Sequence, residues 1–172
     1  MLVDATALVG TPCGRPGGRG GRAAAVHILF PSDPLAVRSA LGGVLHGLGF
    51  LGLSDDARGT LELVLAEAMN NVVEHAHGGR DDGLIELRVS HDAGRAASVI
   101  VCELIDDGAA MPEGALAPPR APAVDAGVET LPEGGFGWLV IRQLARGIDY
   151  ARRDGRNRLR FEIDLAEPAC AG

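Results

Sequence analysis

At 172 residues the chain is the length of one globular domain, and its 47% hydrophobic and 23% charged residues exclude wholesale disorder. A formal net charge of −7 argues against a general phosphate-backbone binder, which needs a basic face, so no direct contact with nucleic acid is expected. The basic residues are all Arg, and the absence of Lys removes every mechanism that needs an amine, a P-loop lysine and a Schiff base among them. Cys13, Cys102 and Cys170 are far apart, odd in number and without CxxC spacing. They indicate neither a disulfide framework nor a zinc knuckle, and a reducing cytoplasm is expected. No run of ~18 apolar residues is read along the chain, so no membrane span is expected.

Residues 1–25 read as a leader, flexible where Gly, Arg and Pro crowd together from Gly10 onward. Val26 to Phe30 is a β-type apolar run closed by Pro31. Ser32 or Asp33 then caps a helix with Pro34 at its first position and Leu35, Val37, Leu41, Val44, Leu45 and Leu48 as its apolar stripe. Ser54-Asp55-Asp56 caps a second helix, Ala57 to Ala76, whose many apolar positions predict burial and which Gly78-Gly79 ends. Leu84 to Ser90 and Ala97 to Ile105 read as an antiparallel strand pair around Asp92-Ala93-Gly94. Gly108 to Gly134 is rich in proline and has no period, which predicts a long irregular loop, of a kind usually functional or disordered. A helix from Gly135 to Arg146 follows, then strands Ile148 to Arg152 and Arg158 to Leu165 around a turn at Asp154-Gly155-Arg156-Asn157; residues 166–172 are a tail. The order predicts an α+β two-layer sandwich, with a mixed, mainly antiparallel sheet packed on helices.

Three polar constellations interrupt this pattern. Glu67, Asn71 and His75 recur every four residues and fall on one helix face, where a buried carboxylate needs a metal ion, a ligand or water to face. A solvated helix face is the plainer alternative. Asp106-Asp107-Gly108 closes a strand with an acceptor and a residue that lets a ligand approach the backbone, and is equally an ordinary turn. Gly134-Gly135-Phe136-Gly137 opens a helix, and its free N–H groups suit phosphate. Glu74-x-x-His77 matches half of a carboxylate-bridged dimetal motif, but no second Glu-x-x-His exists in the chain. Cys102 is expected in the core. Seven arginines between Arg142 and Arg160 form either a docking surface for an acidic partner or a solvated face.

In order and spacing, Glu67-Ala-Met-Asn-Asn71-Val-Val-Glu-His75-Ala76, Asp106-Asp-Gly108 and Gly135-Phe-Gly137 resemble the GHKL ATPase superfamily, the group of gyrase and the histidine kinases. The short chain and the ending Gly-Gly-Phe-Gly-Trp-Leu-Val-Ile-Arg look most like its anti-sigma-factor serine kinases, over residues 26–165. The resemblance implies a Bergerat-type fold that binds ATP and Mg²⁺. Asn71 would ligate the Mg²⁺, Glu67 would be the general base, Asp106 would accept from the adenine amino group and Gly108 would let the base approach. Gly135 and Gly137 would cover the phosphates, with residues 109–134 as a lid. The implied activity is phosphorylation of a serine on a small antagonist protein, with that antagonist and/or a sigma factor as partner and a homodimer as the implied assembly. The alternative is a nucleotide-bound switch module that sequesters a regulator without phosphoryl transfer. A detached histidine-kinase ATPase part is a third reading, although 172 residues leave no room for a separate phospho-accepting hairpin. Two departures stand out: Ala110 occupies a position often glycine in the family, and the lid's single basic residue is Arg120, which leaves Mg²⁺, Arg120 or Arg142 to stabilise the transferring phosphoryl.

Overall fold

A computed structural model describes residues 23–92, 99–112 and 136–165. The expectations placed on the leader up to residue 22, on the turn at Ala93-Gly94, on lid residues 113–134, on Gly135 and on the tail lie outside these residues.

The first strand, β1 (Ala23–Pro31), starts three residues before the expected Val26. Pro31 ends it, and Asp33 caps α1 (Pro34–Gly47) by accepting from the Leu35 N–H at 2.8 Å. A short 3₁₀ turn, Gly49–Leu51, follows. The stretch Pro34–Leu51 corrects the expectation of no long apolar run: its length and mean hydropathy of 1.2 are enough to cross a membrane. Here it is α1 plus the 3₁₀ turn, and α1 packs on β1 and α2 with Val37, Ala40, Val44 and Leu48 buried in the core. Val37, Val44 and Leu48 of its apolar stripe are thus covered by protein, while Leu35 is exposed.

Ser54 accepts from the Ala57 N–H at 3.3 Å and caps α2 (Asp55–Asn71), with Asp55 and Asp56 at the positive end of the helix dipole. A regular helix through Ala76 was expected. Instead the backbone widens into a π-helical turn, Val72–Ala76, and left-handed Gly78 and Gly79 end it.

The sheet is β1, β2 (Leu84–Asp92), β3 (Val99–Asp106), β4 (Arg146–Arg153) and β5 (Arg156–Asp164), in spatial order β1-β2-β3-β5-β4. All four pairings are antiparallel, the limiting case of the mainly antiparallel sheet read from the sequence. Between β3 and β4 lies α3 (Phe136–Leu144), which packs against α2. Alternate residues such as Phe30, Leu87, Cys102 and Phe161 face the helices, where Leu61, Leu65, Met69 and Ile141 meet them. Each such buried side chain contributes roughly 1.5–3 kcal/mol. Burial also pushes the Cys102 thiol far above its ordinary value, so this cysteine is inert core, as expected.

The opposite sheet face is a lattice of ion pairs. Arg156 reaches Glu86, Arg158 bridges Glu103 and Asp149, Arg160 meets Glu162, and Arg146 meets Asp164. Four of the seven arginines considered as a docking surface are thus already paired with carboxylates, and Arg152 donates to the Gly108 carbonyl at 2.9 Å. The result is a neutralised sheet face rather than an open cationic one.

The β4–β5 hairpin turns on Asp154-Gly155 alone, both with positive φ, the geometry of a type I′ turn. Four turn residues were expected. The tighter turn moves Asn157 into β5, directly opposite Asp106 on β3.

Candidate functional site

The C-terminal part of α2, its π turn, the end of β3 and the β4–β5 hairpin converge on a cavity of about 210 Å³. Its walls are largely apolar, from Ala68, Val72, Met111, Trp138 and Leu159. Against these stand a few polar side chains: Asn71 and His75 on one side, Asp106, Tyr150 and Asn157 on the other. Apolar walls with a few convergent polar groups are the general form of a small-molecule site. The volume is below the ~300–1,000 Å³ of a typical ligand pocket, so it houses part of a ligand, such as a planar base, with the rest extending outward.

Asp106 is the buried anion of this cavity, 4% exposed. Its Oδ1 accepts from the Gly108 N–H at 2.9 Å and from Asn157 Nδ2 at 2.7 Å. Asn157 also donates to the Ala109 carbonyl at 2.9 Å and accepts at Oδ1 from the Tyr150 hydroxyl at 2.7 Å. Tyr150 in turn accepts from the Met111 N–H at 2.9 Å. The chain of bonds holds the carboxylate and pins residues 108–111 to the hairpin. Satisfied networks of this kind in a low-dielectric interior fix side-chain positions.

Gly108 does something different from what its place in the motif implied. A Cβ there would stand 2.5 Å from the Ala76 carbonyl oxygen, and the Ala109 N–H donates to that same oxygen at 2.7 Å. The room the glycine makes is filled by the end of the π turn, not left open to a ligand, and Gly108 is absent from the cavity wall. Ala110, the departure noted in the sequence, lines the cavity.

On the other wall, the Asn71 amide is buried with Nδ2 lacking a hydrogen-bond partner. Amide O and N are interchangeable by a flip, so what the geometry establishes is one buried amide with unspent hydrogen-bonding capacity beside the cavity. Glu67 lies one turn earlier on α2 and does not line the cavity. It sits against the first turn of α3, where a Cβ on Gly137 would be 2.6 Å from Glu67 Oε2 and 3.3 Å from Asn71 Oδ1. Glu67, Asn71 and Gly137 are therefore brought together, and Trp138 joins them at the cavity edge. An amide oxygen and a carboxylate fit a hard cation such as Mg²⁺, which takes few protein oxygens and completes its shell with water or phosphate.

A model of the histidine kinase-like ATPase domain matches residues 30–163, most of the chain and every residue just described. The chain belongs to the histidine kinase-like ATPase domain family. It is also 37% identical over 103 residues to the serine/threonine-protein kinase BtrW of Bordetella bronchiseptica, covering 59% of this chain and 67% of that one. The ATPase domain thus spans both walls of the cavity, from the end of β1 to β5, and gives the site its ligand class, ATP.

Asn157 and Tyr150 were not singled out from the sequence. Asn157 looked like a turn residue because Asp-Gly-Arg-Asn is rich in turn formers, and only the β3–β5 register brings it to Asp106. The available signal was the Asp-Gly pair itself, which favours a two-residue hairpin and would have released Asn157 to the strand.

Proposed function

We propose that this ATPase domain is a Mg-ATP-dependent serine/threonine protein kinase of the anti-sigma type, acting in the cytoplasm on a serine of a small antagonist protein. The observation that carries the reading is the buried Asp106 carboxylate at the wall of an apolar cavity, held in place by Gly108 and Asn157. Such a group accepts from the exocyclic amine of adenine while the apolar walls cover the ring faces. Asn71, with its unspent amide, would hold Mg²⁺ through its oxygen, and the ion would supply charge neutralisation at the phosphates.

Glu67 is the general base in this reading. It takes the proton from the attacking serine hydroxyl, the serine oxygen bonds to the γ-phosphorus, and the bond to the bridging oxygen breaks to release ADP. The N–H groups at the start of α3, around Gly137, meet the phosphates there. The kinase name of the Bordetella relative supports transfer rather than hydrolysis alone. A homodimer along β1, which is an outer strand of the sheet among the described residues, fits the same reading.

One observation favours a second reading, a switch module that holds nucleotide and sequesters a regulator such as a sigma factor. Glu67 lies outside the cavity wall and is packed on Gly137. Transfer of labelled γ-phosphoryl from Mg-ATP to candidate antagonist proteins separates the two. The kinase reading expects label on serine that vanishes in Glu67→Gln. Saturable ATP binding without labelling of any antagonist that the protein binds would favour the switch.

A further inference from the structure

His77 is a buried polar side chain with no role so far. Its side chain is 2% exposed, and Nε2 makes no hydrogen bond yet lies 3.8 Å from Asp106 Oδ1. That separation is too long for a hydrogen bond and leaves a close approach of the ring to the carboxyl group. A buried unpaired nitrogen costs stability where an apolar ring of similar size would not, so packing alone does not account for it. The fold also makes room for this ring. A Cβ at Gly83 would overlap His77 Nδ1 and Cε1, while the Gly83 backbone is not in the left-handed region that itself demands glycine. Ser32 N–H ties Gly83 down through its carbonyl at 3.0 Å, and Arg80 holds the His77 carbonyl. The imidazole is thereby held beside Asp106 Oδ1, the oxygen that also accepts from Gly108 and Asn157.

We propose that His77 is a positioning residue for Asp106, and that by fixing this carboxylate it sets the preference of the site for a 6-aminopurine nucleotide over a 6-oxopurine one. The proposal rests on the nucleotide-binding reading above. A carboxylate held in place accepts from a C6 amino group and repels a C6 carbonyl oxygen. Once it can turn or retreat, it does neither well, whereas contacts to the phosphates are unaffected. His77 therefore acts on the ratio of two affinities, which a purely structural residue would leave unchanged.

Calorimetric titration with Mg-ATP and Mg-ITP tests this, with circular dichroism melts to confirm folding of each variant. The wild type prefers ATP. In His77→Phe the ATP-over-ITP ratio falls by about threefold, less than a full hydrogen bond would carry. His77→Gln recovers most of it, because the glutamine amide nitrogen reaches the place of Nε2. Gly83→Ala, which displaces the ring without touching Asp106, lowers the ratio in the wild-type background and leaves it unchanged in a His77→Ala background. That pair serves as the test if His77→Phe fails to fold. An unmoved ratio in folded His77→Phe, or an equal effect of Gly83→Ala in both backgrounds, overturns the proposal alone. A wild type that binds neither nucleotide overturns the underlying reading with it.

Discussion

Asn157 donates to Asp106 Oδ1 at 2.7 Å across the β3–β5 ladder, and the two residues are 51 positions apart in the chain. Asn157→Ala removes a donor from a buried carboxylate, with an expected cost of about 1–3 kcal/mol in folding stability. It also removes the acceptor of the Tyr150 hydroxyl, to which the Met111 N–H donates. Chemical denaturation is expected to show the stability loss, and calorimetry a fall of about tenfold or more in Mg-ATP affinity. An Asn157→Ala protein with unchanged nucleotide affinity would count against Asp106 as the base acceptor.

Glu67 and Asn71 stand one helical turn apart beside Gly137, and their substitutions are expected to separate. Glu67→Gln keeps shape and hydrogen bonding but loses the base, so phosphoryl transfer drops by about 10²–10⁴-fold with ATP affinity nearly unchanged. Asn71→Ala is expected to weaken Mg-ATP binding itself, while affinity for ATP in excess chelator changes little. A labelled-phosphate assay beside calorimetry with and without Mg²⁺ distinguishes the two patterns.

Gly108→Ala drives a Cβ to within 2.5 Å of the Ala76 carbonyl oxygen and 2.8 Å of the Ala76 Cβ, with no flexible side-chain end among these atoms to yield. The expected cost is about 1–3 kcal/mol, read as a lower melting temperature. Gly59→Ala is the control. Gly59 lies inside α2, and a Cβ there would meet nothing within 4 Å, so alanine is expected to stabilise by about 1 kcal/mol.

These residues also show what a one-dimensional reading reaches. Helix caps at Asp33 and Ser54, the strand alternation and the Asp-Gly turn are local, encoded within a few residues, and so the order of elements was legible. The motif residues Glu67, Asn71 and Asp106 stood out because polar groups interrupt apolar periodicity. Contacts set by register were not legible: the Asn157–Asp106 pair, the fit of Gly108 on Ala76 and the fit of Gly83 on His77 each depend on elements meeting in three dimensions. The π turn at Val72 was hidden for a related reason, since its residues keep the apolar pattern of an α-helix.

On the outer sheet face, burial raises the Glu86 carboxyl, but Arg88 and His27 outweigh it and hold the group below its ordinary value of 4.5. Its folded value is therefore lower than its unfolded one. The stability it contributes is fully present above about pH 4.5 and is lost as pH falls through the depressed folded value. Denaturation midpoints measured from pH 7 down to pH 3 are expected to fall on the acid side, and to fall less steeply in Glu86→Gln. Equal slopes in the two proteins would show that this lattice carries no proton linkage.

The central claim is that Mg-ATP binds in the cavity between α2 and Asp106. Trp138 lines that cavity, so a calorimetric titration with Mg-ATP, paralleled by Trp138 fluorescence, tests it most directly. A saturable heat signal with a fluorescence change, both weakened at least about tenfold in a folded Asp106→Asn variant, is the predicted result. Folded protein that gives no heat of binding, or binding that Asp106→Asn leaves untouched, would contradict the account.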